Sequence, residues 1–138
     1  MRVFADTSAI LAVLDADDAN HLPAKEQWIK LISEGTELWS SSYVLVESFA
    51  LIQHRLGMEA LRAFQEDVVP VIAIHWVDEA AHHASVAAVL VAARKGLSLV
   101  DCSSFDIMRR LGLKKAFSFD RHFREQGFHC IPEVPPEE

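Results

Sequence analysis

The chain has 138 residues, with 13 Lys and Arg against 20 Asp and Glu, a formal net charge of −7. That balance argues against a broad basic surface for holding nucleic acid, because neutralising phosphates takes an excess of Lys and Arg; a specific, metal-mediated encounter stays open. A hydrophobic content of 51% in a chain of one domain's length excludes disorder as the overall state and predicts a single continuous core.

Cys102 and Cys130 are too few for a disulfide scaffold and lack the spacing of a structural zinc site, so they read as free thiols in a reducing compartment. No stretch reaches the roughly 18 uncharged apolar residues of a membrane span. Asp6 interrupts the apolar start where a signal peptide would continue. The expectation is a soluble, cytoplasmic protein without a membrane partner.

In chain order, Val3-Phe4-Ala5 reads as a buried strand, and Ala9 to Leu14 as a helix with Thr7 or Ser8 near its N-cap. Pro23 opens a second helix whose Ala24, Trp28, Leu31 and Ile32 share a face, and Gly35 ends it. Glu37 to Ser40 is a weak strand. Ser41 or Ser42 then caps a helix from Tyr43 to Leu56, which Gly57 breaks, and a short helix runs from Met58 to Asp67. The β-branched run Val71 to Val77 has the character of a central strand. Asp78 to Arg94 is Ala-rich and helical, ending at Gly96. Ser98 to Leu111 is helical, Lys115 to Phe119 a strand, Arg121 to Gln126 one helical turn, and Phe128 to Ile131 a last strand. Strands alternating with helices predict an α/β fold with a parallel sheet covered on both faces. The domain is placed at residues 1–132, followed by an acidic, Pro-rich tail over 133–138.

Four carboxylates stand in mostly apolar surroundings: Asp6, Glu47, Asp101 and Asp120. Asp6 follows the first strand, where parallel sheets place their ligand crevices, yet it also suits the cap of the next helix. Glu47 shares a helix face with Tyr43, Val44 and Leu51, and burying it without a partner costs several kcal/mol. Ser98-x-x-Asp101 has the form of a capping box, and Asp101 shares a face with Ser104, Phe105 and Met108. Asp120 closes a strand and precedes a helical turn, so capping again competes with a chemical role. Asp106 instead pairs with Arg109 or Arg110 at helical spacing and reads as an exposed charge.

Clustered carboxylates repel and take up protons unless a cation neutralises them. Oxygen-only ligands select hard divalent ions such as Mg²⁺ or Mn²⁺, and the chemistry that follows is phosphoryl transfer or phosphodiester hydrolysis. Val3-Phe4-Ala5-Asp6-Thr7-Ser8, Glu47 in its helix, Leu97-Ser98-Leu99-Val100-Asp101 and Phe117-Ser118-Phe119-Asp120-Arg121-His122-Phe123 together resemble the PIN-domain ribonucleases. Within them the pattern is most similar to VapC-type toxins of bacterial and archaeal toxin-antitoxin pairs, and the final segment is its most specific part.

The resemblance implies a three-layer α/β/α sandwich around a parallel sheet of about five strands, with a metal-dependent endoribonuclease site at its carboxyl edge. Carried over residue by residue, Asp6, Glu47, Asp101 and Asp120 would bind one or two Mg²⁺ or Mn²⁺ ions and orient the attacking water. Thr7, Ser8 and Ser118 would hydrogen-bond to those carboxylates. The partners implied are an RNA substrate, a homodimer mate and a cognate antitoxin inserting a segment into the site; the helices Leu22 to Ile32 and Tyr43 to Leu56 offer apolar stripes that ordinary core packing also explains.

Arg121 and His122 follow the last Asp at a distance that suits a phosphate, although His122 also suits a structural helix start. His75, His82 and His83 read as core or surface residues. Three other classes compete: a stand-alone PIN nuclease of RNA processing, a non-catalytic PIN-fold binding module, and an aspartate-nucleophile phosphatase. The last wants a second Asp two residues after the first, where this chain has Ser8.

Charge is unevenly spread. Residues 94–124 hold 8 Lys and Arg against 3 Asp, whereas residues 1–93 hold 5 against 13 acidic side chains. The basic stretch, with Arg94 and Lys95 at its start, brackets Asp101 and Asp120 and is where an RNA backbone is expected to approach.

Overall fold

The computed structural model describes residues 1–133 of the chain. The elements run β1 (Arg2–Ala5), α1 (Thr7–Leu14), α2 (His21–Ser33), β2 (Glu37–Ser41), α3 (Ser42–Leu56), α4 (Met58–Ala63), β3 (Ile72–His75), α5 (Glu79–Ala92), α6 (Leu99–Leu111), β4 (Lys115–Phe117), α7 (Arg121–Glu125) and β5 (His129–Ile131). The five strands form one all-parallel sheet in the order β3-β2-β1-β4-β5. Right-handed crossovers put the helices between β1 and β3 on one face and those between β3 and β5 on the other. Most helix contacts follow this division, with α1 packed on α2 and α3, α3 on α4, and α5 on α6, while α3 also meets α6 across the two groups.

Val3, Phe4 and Ala5 of the central strand are fully buried, which is why that segment reads as an uninterrupted apolar run. Phe4, Phe105, Phe123 and Phe128 form an aromatic cluster between the sheet and α6 and α7, with Phe105 edge-on to Phe123 at a 4.9 Å centroid separation. Each fully buried ring of this kind contributes about 2–3 kcal/mol of hydrophobic stabilisation.

The structure moves several predicted boundaries. Asp6, not Thr7 or Ser8, is the N-cap of α1, its side chain accepting from the Ser8 N–H. Helix α2 begins at His21, with Pro23 inside its first turn. Helix α4 stops at Ala63 and passes into a wider turn over Phe64–Val68, which keeps Phe64 and Val68 both buried. Helix α5 ends at Ala93, which takes the left-handed conformation, three residues before Gly96. Strand β4 ends at Phe117, two residues short of Phe119.

The strand read as central from its β-branched run is an edge strand. Only Ile72 of β3 is buried, while Val71 and Trp76 on its flanks are exposed. β-branched side chains report a pleated, half-buried surface, not a position within the sheet.

Candidate active site

Strand order reverses beside β1, where β2 lies on one side and β4 on the other. In parallel α/β sheets the crevice beyond the strand ends at such a point is where ligands bind. Here β1 delivers Asp6 and β4 delivers Ser118 to Asp120. Asp6 N–H donates to the Phe117 carbonyl at 3.0 Å, extending the pairing of β1 and β4 to the rim.

Two serines fix this rim. Ser8 Oγ donates to Asp6 Oδ2 at 2.8 Å and accepts the Phe119 N–H at 3.0 Å. Ser118 Oγ donates to the same Asp6 oxygen at 3.0 Å and accepts the Asp120 N–H at 3.0 Å. Thr7 does not join them: its Oγ1 is buried without a hydrogen-bond partner among the described residues.

Three of the four carboxylates take part in helix capping, Asp6 and Asp120 as N-caps and Asp101 as the closing residue of the Ser98 capping box, and each uses a single oxygen for that purpose. Asp6 Oδ2 receives Ser8 N–H, Asp101 Oδ2 receives Ser98 N–H at 3.0 Å within a complete capping box, and Asp120 Oδ1 receives His122 N–H at 2.9 Å. Asp6 Oδ1, Asp101 Oδ1 and Asp120 Oδ2 accept no hydrogen bond from the described residues. Capping orients each carboxylate and leaves a second oxygen for a ligand, so the two readings of these residues are compatible.

A cleft of about 380 Å³ joins Asp6, Glu47, Asp101 and Asp120, with Asp18, Asn20 and Arg55 also on its walls. Glu47 is half-buried, not sunk in the core. The buried residues of α3 are Ser42, Val44, Ser48 and Ile52, and Leu51, its apolar neighbour in sequence, lines the cleft with it. The tightest group is Asp101, Asp120 and His122, which each offer a ligand atom within 4.8 Å of the others; Asp6 and Glu47 face the same cleft outside that group.

Burial and mutual repulsion both act on the carboxylates of the cleft. Burial pushes the Asp6 carboxyl up to about 6; hydrogen bonds from Ser8 and Ser118 oppose the rise and the charges of Asp101 and Asp120 add to it. Burial also raises Asp101, partly offset by its hydrogen bonds to Ser98 and reinforced by Asp120. A divalent ion held there would relieve both penalties, and the donor set of carboxylates with one imidazole suits Mg²⁺ or a first-row transition ion.

The basic segment is divided by the fold. Arg94 and Arg121 both reach Glu125, at 3.3 and 3.8 Å, and Lys95 is exposed beside Arg94. Lys114 and Lys115 stand at the start of β4, the opposite edge of the sheet from Asp120, and Lys115 Nζ meets Met1 Sδ there. Arg109 is engaged with Gln126 and stacks over Phe128. Neighbours in sequence on either side of a strand thus lie at opposite ends of the molecule. As expected, Asp106 pairs with Arg110, at 2.9 Å; His83, by contrast, has an acidic neighbour in Glu79 at 3.6 Å.

Sequence reading passed over Asp18, Asn20 and Arg55. The run Asp15-Ala16-Asp17-Asp18-Ala19-Asn20 carried a signal as a turn-forming acidic loop, and Asn20 N–H indeed donates to Asp18 Oδ1 at 2.8 Å. Arg55 lies two helical turns beyond Glu47 and returns near the same face.

The sheet order, the rim site and its acidic residues define a PIN-domain nuclease, and a PIN-domain family model matches residues 3–129: the chain belongs to this family. It is similar in particular to the 23S rRNA-specific endonuclease VapC20 of Mycobacterium tuberculosis, 31% identical over 136 residues, 98% of this chain and 99% of that protein. The crystal structure of that VapC20, described as a Sarcin-Ricin loop cleaving toxin, superposes with a TM-score of 0.80 at 29% identity, covering 91% of this chain and 95% of the other. FitAcB from Neisseria gonorrhoeae (TM-score 0.67, 14% identity, 94% and 96% covered) and VapBC2 from Rickettsia felis bound to a promoter DNA fragment (0.68, 9%, 94% and 97%) share the fold. No helix among the described residues is long and apolar enough to cross a membrane.

Proposed function

We propose that this protein is a VapC-type endoribonuclease toxin that hydrolyses RNA phosphodiester bonds with one or two Mg²⁺ or Mn²⁺ ions held by Asp6, Glu47, Asp101 and Asp120. The observation that carries this reading is the convergence of those four side chains on one cleft at the carboxyl edge of the sheet. A divalent ion there supplies Lewis-acid polarisation of the phosphate and a water of lowered pKa. The chain's own residues do the positioning. Ser8 and Ser118 hold Asp6, Ser98 holds Asp101, and the cap of α7 holds Asp120, so each carboxylate is oriented through one oxygen and keeps the other for an ion or a water.

Arg55 is the one basic side chain among the residues lining the cleft, and it makes no salt bridge with the described residues. It is available to a phosphate of the RNA backbone. Arg94, Lys95 and Arg121 stand further out, and RNA must compete with Glu125 for the two arginines. Ribosomal RNA is the first substrate to test, because VapC20 is named for 23S rRNA. An antitoxin and a homodimer mate, which the VapC resemblance implies, complete the reading, as does a cytoplasmic location.

A phosphatase mechanism is disfavoured by Ser8: its hydroxyl is committed to Asp6 and Phe119, and no lysine lines the cleft. The test is cleavage of a mixed RNA pool containing rRNA with Mg²⁺ or Mn²⁺, with EDTA, and by Asp6→Asn. Fragments that disappear in both controls are expected. Cleavage that survives both would overturn the metal-carboxylate reading, and a wild type that binds Mn²⁺ yet cleaves nothing would favour the binding module.

A further inference from the structure

We propose that His122, through Nδ1, is a metal ligand alongside Asp101 and Asp120, and that this nitrogen biases the site toward a first-row transition ion such as Mn²⁺ over Mg²⁺. The inference rests on the metal-dependent reading above and adds a donor that the four-carboxylate pattern does not contain.

The ring is largely buried, its side chain 13% exposed, and Nδ1 is 2.8 Å from Asp120 Oδ1. That separation is of hydrogen-bond length but the alignment is not, and Nδ1 is a buried polar atom without a hydrogen-bond partner among the described residues. Asp120 Oδ1 already accepts the His122 N–H at 2.9 Å. A contact this short between a ring nitrogen and a carboxylate oxygen needs positive charge, supplied either by a proton on Nδ1 or by a cation in front of both atoms. Donors on adjacent vertices of an octahedral ion with bonds of ~2.1 Å stand ~3 Å apart, so the observed spacing fits the bite of a shared cation.

The third donor comes from another element. Asp101, on the first turn of α6, offers an oxygen within 4.8 Å of both Asp120 and His122. The ring's orientation is fixed from behind: Nε2 and Cε1 lie 3.9 and 3.8 Å from where a Cβ on Gly96 would stand, so the loop before α6 backs the imidazole and Nδ1 faces the carboxylates. Position 122 follows the cap residue by two in α7's first turn, which carries the side chain back over Asp120. Imidazole nitrogen is a good donor to first-row transition ions, whereas Mg²⁺ holds its waters tightly and prefers oxygen.

The test uses the full-length protein with Mn²⁺ alone, read by electron spin echo modulation, together with Mn²⁺ and Mg²⁺ affinities by calorimetry. Wild type is expected to show a directly coordinated imidazole nitrogen on bound Mn²⁺. The signal should vanish in His122→Gln and in His122→Asp. The ratio of Mn²⁺ to Mg²⁺ affinity should fall by at least about tenfold in His122→Asp, which keeps an oxygen donor at the position. Bound Mn²⁺ with no nitrogen coupling in wild type overturns the proposal while leaving the carboxylate metal site standing. A coupling or an affinity ratio unchanged in His122→Asp overturns it too. A wild type that binds no Mn²⁺ overturns both readings.

Discussion

The Ser118 hydroxyl donates to Asp6 Oδ2 at 3.0 Å across 112 positions of the chain. One hydrogen bond thus joins the end of β4 to the end of β1, and the same hydroxyl accepts the Asp120 N–H. It couples two candidate metal ligands and lowers the pKa of one of them. Replacing it, Ser118→Ala, is expected to destabilise the fold by about 1 kcal/mol and to raise Asp6 further. The Mn²⁺ affinity of the variant should then drop more at pH 6 than at pH 8, relative to wild type. Calorimetric titration at the two values checks this; an equal loss at both would assign Ser118 a purely structural role.

Asp6 predicts the sign of a stability change. Its folded-state pKa near 6 exceeds the ordinary 3.8, so the folded protein binds that proton more tightly than the unfolded chain. The contribution is most favourable below pH 4, is lost as pH rises to about 6, and stays lost at neutral pH. Metal-free Asp6→Asn should therefore be more stable than wild type at pH 7.5, by on the order of 2–3 kcal/mol, with the advantage shrinking toward pH 4.5. Urea unfolding at both pH values measures it. An asparagine variant less stable than wild type at pH 7.5 would mean that Ser8 and Ser118 outweigh burial.

Divalent ion should have the opposite effect on the wild type. Mn²⁺ or Mg²⁺ at a hundredfold excess over Kd stabilises by about 2.7 kcal/mol through mass action, seen as a rise in Tm that EDTA reverses. Asp101→Asn and Asp120→Asn are each expected to lose most of that rise at pH 7.5. A rise of full size in both variants would move the ion away from this cleft.

Arg55→Ala is expected to raise KM for RNA about tenfold, consistent with loss of one charge-assisted contact, with a smaller change in kcat. The salt dependence of kcat/KM should become shallower by about one phosphate contact. A variant with unchanged KM and salt slope would show that Arg55 faces the cleft without meeting substrate.

Much of the candidate site was legible because its signals are local. A short apolar strand followed by Asp-Thr-Ser, a capping box at Ser98 and Asp101, and an aromatic strand leading to Asp120 are each written within a few residues; the structure retains the first two, and the third with its strand cut back to Phe117 and Asp120 as the cap of α7. Glu47 was legible for its apolar neighbours but misjudged in depth. Leu51, on the same helix face as Glu47, packs on the core and also lines the cleft, and a helix wheel does not distinguish a face turned to the core from one turned to a crevice.

The sequence by itself determined the alternation of strands and helices and the class of fold, and it singled out the four carboxylates that line the cleft, because periodicity, caps and turns act over one or two helical turns. Tertiary structure alone decided that β3 is an edge and that Lys114 and Lys115 lie at the far end of the sheet. It also decided that Asp18 and Arg55 share the cleft and that the His122 ring nitrogen sits 2.8 Å from Asp120 Oδ1 without the alignment of a hydrogen bond. These depend on strand order and on the angle at which each helix meets the sheet. Both are set by how the whole core packs, which no local segment records.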